Sequence, residues 1–431
     1  MSPLVLSLID GLLHAAMIGT AESYLGAFAV ELGHRDMALG LLATLPIASG
    51  ALSQLAAPAL SRWLGRRSRL VVAGAALQAL SLVAMIAIAR TGSTSLAALL
   101  TVKLLFWVSG AAIAPAWSEW MAVLTEEVDR QRYFAWRSAA TQVALLLAFL
   151  AAGEALHGAR ALGQTLEVYG MLFGVAAMLR AASAVALLAQ ARARRIEPPP
   201  EANPDIARSP LRLAISTSQW RTALYVGALM FGAQISVPFF TPYMLRELQL
   251  DYRSFATLTA VSIVCKVLVF PLCHPLASRI GLRPVLIASG VGIATVPPVW
   301  ALVDTPAGIA FAQGLGGVVW AGFEYASFQL LLSSAQPACR LEFLSLAGSL
   351  SGLLQVAGAL LGSQLIERLG LGYRDIFWLS GAGRALALSL LLSALPNLPW
   401  PSQLRRPMMR LWSVRPNAGA VLRAIFGRRR P

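Results

Sequence analysis

Apolar stretches of roughly twenty or more residues alternate with short polar gaps along the whole chain, the pattern of a polypeptide that crosses a bilayer many times. Twelve spans are predicted, at about 4–31, 37–60, 69–90, 95–123, 136–157, 165–190, 218–245, 253–277, 283–303, 305–333, 343–367 and 373–395. They are rich in Gly, Ala and Ser, which lets helices approach closely in lipid. Strand-period alternation is absent, which argues against a β-barrel. The first stretch, MSPLVLSLIDGLLHAAMIGTAESYLGAFAV, lacks a basic leader segment and a clear cleavage site, so it reads as a span that stays. The fold class expected is an all-α membrane protein.

Composition agrees. The 431 residues are 57% hydrophobic and 13% charged, where a soluble chain carries about 25% charged residues. A net charge of +15 could suggest nucleic acid. Its placement argues otherwise. Of 33 arginines, 24 fall in or beside the gaps after even-numbered spans and in the tail, and seven on the other side. By the positive-inside rule both termini are then cytoplasmic. The three cysteines, Cys265, Cys273 and Cys339, suggest free thiols.

Between spans 6 and 7 lies ARARRIEPPPEANPDIARSPLR, with the Pro-rich, charged composition of a linker. It divides the chain into an N-terminal six-span bundle (1–190), a cytoplasmic linker (191–217), a C-terminal six-span bundle (218–395) and a basic tail (396–431). The tail has eight arginines and no acid, and could lie on anionic lipid. The halves echo each other. Tyr169, Phe173 and Arg180 of span 6 recur at a constant offset as Tyr373, Phe377 and Arg384 of span 12. Gly19 and Glu22 line up with GAQ in span 7, which pairs Glu22 with Gln234. Parallel repeats of this kind place a site near the midplane between the halves.

Ionisable groups inside spans mark function by default. The only two lysines, Lys103 and Lys266, lie inside spans 4 and 8. Lys266 is too far from either end to reach the interface. Glu22 falls in the outer half of span 1, with His14 and Asp10 drifting along one helix face below it. Glu22 could exchange protons, and either lysine could pair with it or attract an anion. Glu119 and Glu324 are expected to pair with Arg180 and Arg384 within their halves, fixing arrangement more than adding stability. Trp107, Trp117, Trp120, Trp320, Phe323 and Tyr325 concentrate aromatic surface in spans 4 and 10, suited to ring-bearing or amphipathic ligands.

The gap after span 2 reads Arg62-Trp63-Leu64-Gly65-Arg66-Arg67, and the gap after span 8 repeats Arg279, Gly281 and Arg283. With twelve spans in two sixes and a central loop, these turns make the chain resemble the major facilitator superfamily over nearly its full length. Members carry G-x-x-x-D-R-x-G-R-R at this turn. Here Gly65, Arg66 and Arg67 match, while Arg62 and Trp63 stand at the Asp-Arg positions and Ser278 takes the aspartate position in the second half. The resemblance implies that the turns help latch the cytoplasmic gate by charge, with Glu126, Glu127 or Asp129 as partners for the arginines. It also implies that spans 1, 4, 7 and 10 line a cavity. PAWSEWMAVLTEEVDRQRYFAWRS is similar to a poorly characterised bacterial subgroup of the superfamily. Drug exporters have an Arg four residues before a span-4 Gly, where this chain has Phe106 before Gly110, and a glycine motif that span 5 lacks.

The function implied is secondary transport of a small molecule by alternating access, with a proton as candidate coupling ion, in a monomer of the bacterial inner membrane. A non-transporting receptor or assembly factor on the same fold, or a lipid or amphiphile exporter, is the alternative. No P-loop, H-E-x-x-H helix or nucleophile elbow is present, so no enzyme activity, cofactor or metal is expected.

Overall fold

The computed structural model describes residues 2–34, 36–126, 129–193, 217–250, 252–334 and 339–393. Most of the central linker, the basic tail, Arg35 and Glu127 lie outside the described residues. Those described form helices and turns, with no strand among them.

Twelve spans run in order. They are α1 (Pro3–Glu31), α2 (Asp36–Gln54 continued by Ala57–Trp63), α3 (Arg67–Thr91), α4 (Leu96–Leu124), α5 (Arg130–Ala161) and α6 (Thr165–Ala193). The second half repeats them as α7 (Thr217–Gln234 continued irregularly to Glu247), α8 (Tyr252–Ile280), α9 (Leu282–Leu302), α10 (Pro306–Ser334), α11 (Arg340–Leu369) and α12 (Tyr373–Ser393). Ten are long and apolar enough by themselves to cross a membrane. The two pieces of α2 make an eleventh, bent by 56°. Pro58 opens the second piece, where its missing N–H costs nothing. The 21-residue α12 completes the second six.

Two spans are interrupted at corresponding places. The regular helix of α1 stops at Thr20, and Glu22–Tyr24 form one tight turn before Leu25–Glu31 resume. The freed carbonyls are met locally: Thr20 Oγ1 donates to Ala16 O at 2.8 Å and Ser23 Oγ to Ile18 O at 3.0 Å. In α7 the regular helix stops at Gln234, because Pro238 and Pro242 cannot donate to the preceding turn. Broken backbone at this depth needs polar partners, and here they come from α12. Ser380 donates to Gly232 O at 2.6 Å, and Arg384 donates to Ala233 O at 3.3 Å. The breaks also correct the repeat alignment. Gln234 ends its helix, whereas Glu22 lies two residues past the end of its own, so Ser236 occupies the place of Glu22.

The core shows how the halves meet. Toward the face opposite the arginine-rich turns there are two separate clusters. One, around Phe28, Leu82, Leu99 and Phe173, draws only on the first half. The other, around Tyr243, Trp300 and Phe377, draws only on the second. Toward the arginine-rich face the clusters cross over. Leu341 and Phe328 pack among first-half residues, and Ala135 and Ala139 pack among second-half residues. The main seams are α5 against α8 and α2 against α11. In the most apolar stretches of α5, α8 and α11 only 11%, 11% and 22% of residues are buried, against 50% for α1, α3 or α6. The result is a crevice between the bundles, closed at the arginine-rich end.

Candidate functional site

The first bundle holds a buried polar network. Asp10 of α1 accepts from Ser183 Oγ at 2.7 Å, and Arg180 Nη1 of α6 donates to the same hydroxyl at 2.8 Å. Arg180 Nε reaches Gln78 Oε1 on α3 at 2.8 Å, and Gln78 Nε2 returns to Phe106 O on α4 at 3.2 Å. From α5, Arg137 approaches Asp10 at 3.7 Å, donates to Ser7 O at 3.3 Å and lies 4.7 Å over the Trp117 ring. One carboxylate thus serves two guanidiniums, tying five helices together. Arg137, at the start of the predicted fifth span and counted among the gap arginines, lies inside, because the structure extends α5 back to Arg130. Gln78 and Ser183, neutral residues in apolar runs, carried no sequence signal.

His14 lies above this network, within the field of Arg180 and Arg137. Its Nδ1 is buried without a partner. Glu22, at the break in α1, faces the charges of Lys103 and Arg180. Glu22 and Lys103 thus act on each other through space without forming an ion pair among the described residues. Lys103 and Trp107 sit one turn apart on the same face of α4. Trp107 packs beside the first-half core with its indole Nε1–H buried and unpartnered.

In the second half Lys266 Nζ of α8 meets Glu324 Oε1 of α10 at 2.6 Å, both half-buried. Trp320, one turn from Glu324, stands edge-on to Phe323 at 5.7 Å. Gln234 donates to Gln355 of α11 at 3.3 Å. Arg384 is fully buried and binds only neutral acceptors, namely Ile293 O at 3.0 Å, Ala233 O and Ser236 Oγ at 2.9 Å. The stretch 222–225, which stands where Asp10 stands in the first half, reads Thr-Ala-Leu-Tyr and offers no acid.

Both intra-half pairs expected from sequence are corrected. Glu119 is bound by Arg67 at 2.7 Å, not by Arg180. Arg180 lies about 20 Å from the inner end of α6 and Glu119 only about 8 Å from that of α4, at 1.5 Å per residue, and the two helices do not pack together. Glu324 pairs with Lys266 rather than Arg384, because α10 packs on α8 while α12 packs on α7 and α9.

The closed end carries the turn residues. Gly65 and Gly281 take left-handed backbone (φ 73° and 90°), which admits glycine without strain. Arg62 meets Glu342, at the start of α11, at 3.7 Å across the halves. His274 and Asp129 cross at 3.3 Å, and Tyr325 donates to Gln131 O at 3.3 Å. The partners of Arg62 and Arg67 are thus Glu342 and Glu119, not Glu126 or Asp129. Arg66 caps α3 from an exposed position. Arg279 and Arg283 are exposed and meet no acid among the described residues. Arg62 is 69% exposed, so its bridge contributes at most about 1 kcal/mol. Arg62→Glu is expected to weaken closure less than tenfold, and Arg62→Glu with Glu342→Arg to restore it. Cysteine cross-linking across the α2–α11 seam measures both.

At the seam lies a cavity of about 210 Å³, lined by Gln54, Pro115, Ser118, Val226, Phe328 and Ser351 among others. No group of three or more metal-ligating side chains occurs among the described residues.

No protein-family profile and no curated protein matches the sequence. Solved structures do. FucP, a Major Facilitator Superfamily transporter in the outward conformation, is 12% identical and superimposes with a TM-score of 0.70 over 91% of this chain and 99% of its own. A bacterial homologue of the iron transporter ferroportin in the outward-facing state is 16% identical, with a TM-score of 0.68 over 91% and 99%. The human organic anion transporter MFSD10 is 16% identical, with a TM-score of 0.63 over 90% and 98%. At these identities the likeness is one of fold: the chain has the twelve-helix architecture of major facilitator transporters.

Proposed function

We propose that this protein is a secondary transporter that moves a small molecule by alternating access. The observation that carries the reading is the distribution of the core. Contacts shared by the two halves gather at the arginine-rich end, while the clusters at the other end belong to one half each. Two rigid bundles joined at one end can rock about the middle, closing one end as the other opens. The arginine-rich face is cytoplasmic by charge bias, so the crevice opens outward, in a multi-pass monomer of the bacterial inner membrane with both termini inside.

The crevice is equipped for a polar cargo and a coupling ion. The breaks in α1 and α7 lie at its wall, the arrangement in which helix ends meet a substrate. Glu22, on the α1 break beside Lys103, is the carboxylate proposed to carry the coupling proton. His14 and the Asp10–Arg180–Arg137 network lie further along α1 toward the arginine-rich end.

Counterflow in proteoliposomes tests both parts. Glu22→Gln is expected to keep exchange of labelled for unlabelled cargo while losing at least about 90% of uptake driven by a pH gradient, a rate loss worth about 1.4 kcal/mol. Full pH-driven uptake by Glu22→Gln removes the coupling role. Ligand binding without counterflow removes transport itself and favours a receptor.

A further inference from the structure

We propose that the cargo is an organic anion whose acidic group seats against Lys103 and the indole N–H of Trp107. The proposal rests on the transporter reading and names the charge of what is carried.

Three observations support it. The first is the balance of interior charge. Among described residues that are at least half-buried and seven or more positions from their helix ends, five are cations and three are carboxylates. A cation held in a membrane interior needs a counter-charge from the protein or from what it binds. Asp10 answers two arginines, Glu324 answers Lys266, and Glu22 acts on Lys103. Arg384 meets no acid among the described residues. A cationic cargo would add to this excess; an anionic one offsets it.

The second observation is local. Among the described residues Lys103 forms no ion pair or hydrogen bond, and Glu22 is the only acid acting on it. One turn inward, Trp107 Nε1–H is buried with no acceptor. Two donors thus sit one turn apart on one helix face, and the buried one, Trp107 Nε1–H, is costly unless something binds it. Neither side chain can accept a hydrogen bond in these forms, so the complementary group is an acceptor. A carboxylate or phosphate ester satisfies both, and its charge-assisted bond to the ammonium is the stronger one.

The third observation concerns Glu22. Its charge acts on the same lysine through space, so an incoming anion competes with it for Lys103. Cargo arrival and release of Glu22 become one event, which gives coupling a structural basis.

The test uses full-length protein in nanodiscs and compounds matched on one skeleton: 4-phenylbutyrate, 4-phenylbutyl phosphate, 4-phenylbutyramide and 4-phenylbutylamine. Binding is read by thermal shift and by tryptophan quenching. The two anions are expected to bind at least about tenfold more tightly than the amide or amine, a difference of about 1.4 kcal/mol. Lys103→Ala should abolish that preference, Lys103→Arg should restore it, and Trp107→Phe should weaken the anions about threefold by removing one donor. The proposal is overturned if the amide or amine binds as tightly as the anions, if Lys103→Ala leaves anion affinity unchanged, or if no anion binds the wild type. Should Lys103→Ala fail to fold, judged by its ligand-free melting, Trp107→Phe carries the decision. Counterflow run in parallel separates the two readings. Anion binding without counterflow removes transport and leaves the site. Counterflow of the amine alone removes the site and leaves transport.

Discussion

Asp10→Asn is expected to destabilise the first bundle by about 3 kcal/mol or more, the largest stability effect of any single polar change here. Asparagine has nearly the same shape and can keep the Ser183 contact. What it loses is the charge that Arg180 and Arg137 share. Both guanidiniums lie inside a membrane bundle with little exposure, and removing the acid they share leaves Arg137 uncompensated and Arg180 with only the more distant Glu22. The double variant Asp10→Asn with Arg180→Gln removes one of them. It should regain part of the loss, and the cycle should show a coupling energy of about 1–3 kcal/mol. Reversible unfolding in bicelles, followed by tryptophan fluorescence, measures all four corners. If the double variant is as unstable as the sum of the singles, charge balance is not what the network supplies. Asp10→Glu is a further check, since it keeps the charge and disturbs only the fit.

The second large effect concerns movement. Gly352 of α11 packs directly on Ala51 of α2 at the seam, and a Cβ there would already crowd the alanine. Gly352→Trp cannot be accommodated with the arginine-rich end shut. Moving a two-state equilibrium from 1:99 to 99:1 takes about 5.5 kcal/mol, and an extra methylene in a packed interface costs about 1–3 kcal/mol. Gly352→Ala should therefore shift the balance partly, and Gly352→Trp should hold the cytoplasmic end open and reduce counterflow at least tenfold. Cysteine labelling from the cytoplasmic side should rise in step. Gly40→Leu on the same α2 is the control, because nothing lies within 4 Å of its added Cβ. A Gly352→Trp protein with normal counterflow would mean that the seam does not have to separate.

Depth along the chain was legible in the sequence; azimuth was not. The apolar runs give the succession of spans, and the arginines sort the gaps between them into two sides. Both follow from one-dimensional rules about hydropathy and charge. Ion pairing depends on which helices are neighbours and how each is rotated. Glu324 and Arg384 have similar depth but belong to helices that do not pack, so no rule based on depth could separate the right partner from the wrong one. Arg137 was missed because an arginine-rich helix start looks like a loop until the helix is seen to continue through it. The break at Glu22 was hidden for another reason. Gly-Thr-Ala-Glu-Ser is an ordinary helical string, and its irregularity comes from packing of Gly19 on α5 and from hydroxyls that satisfy the freed carbonyls. In α7 the corresponding break is signalled by Pro238 and Pro242, so the second half announces what the first conceals.

The guanidinium of Arg384 gives the two halves different characters. In the first half the matching arginine is balanced by an acid. In the second half the cation meets no acid among the described residues and is held by a carbonyl and a hydroxyl at the kink of α7. One half would serve as the variable pole of the machine and the other as its fixed pole, so that a symmetric scaffold acquires a built-in polarity without a single inserted loop.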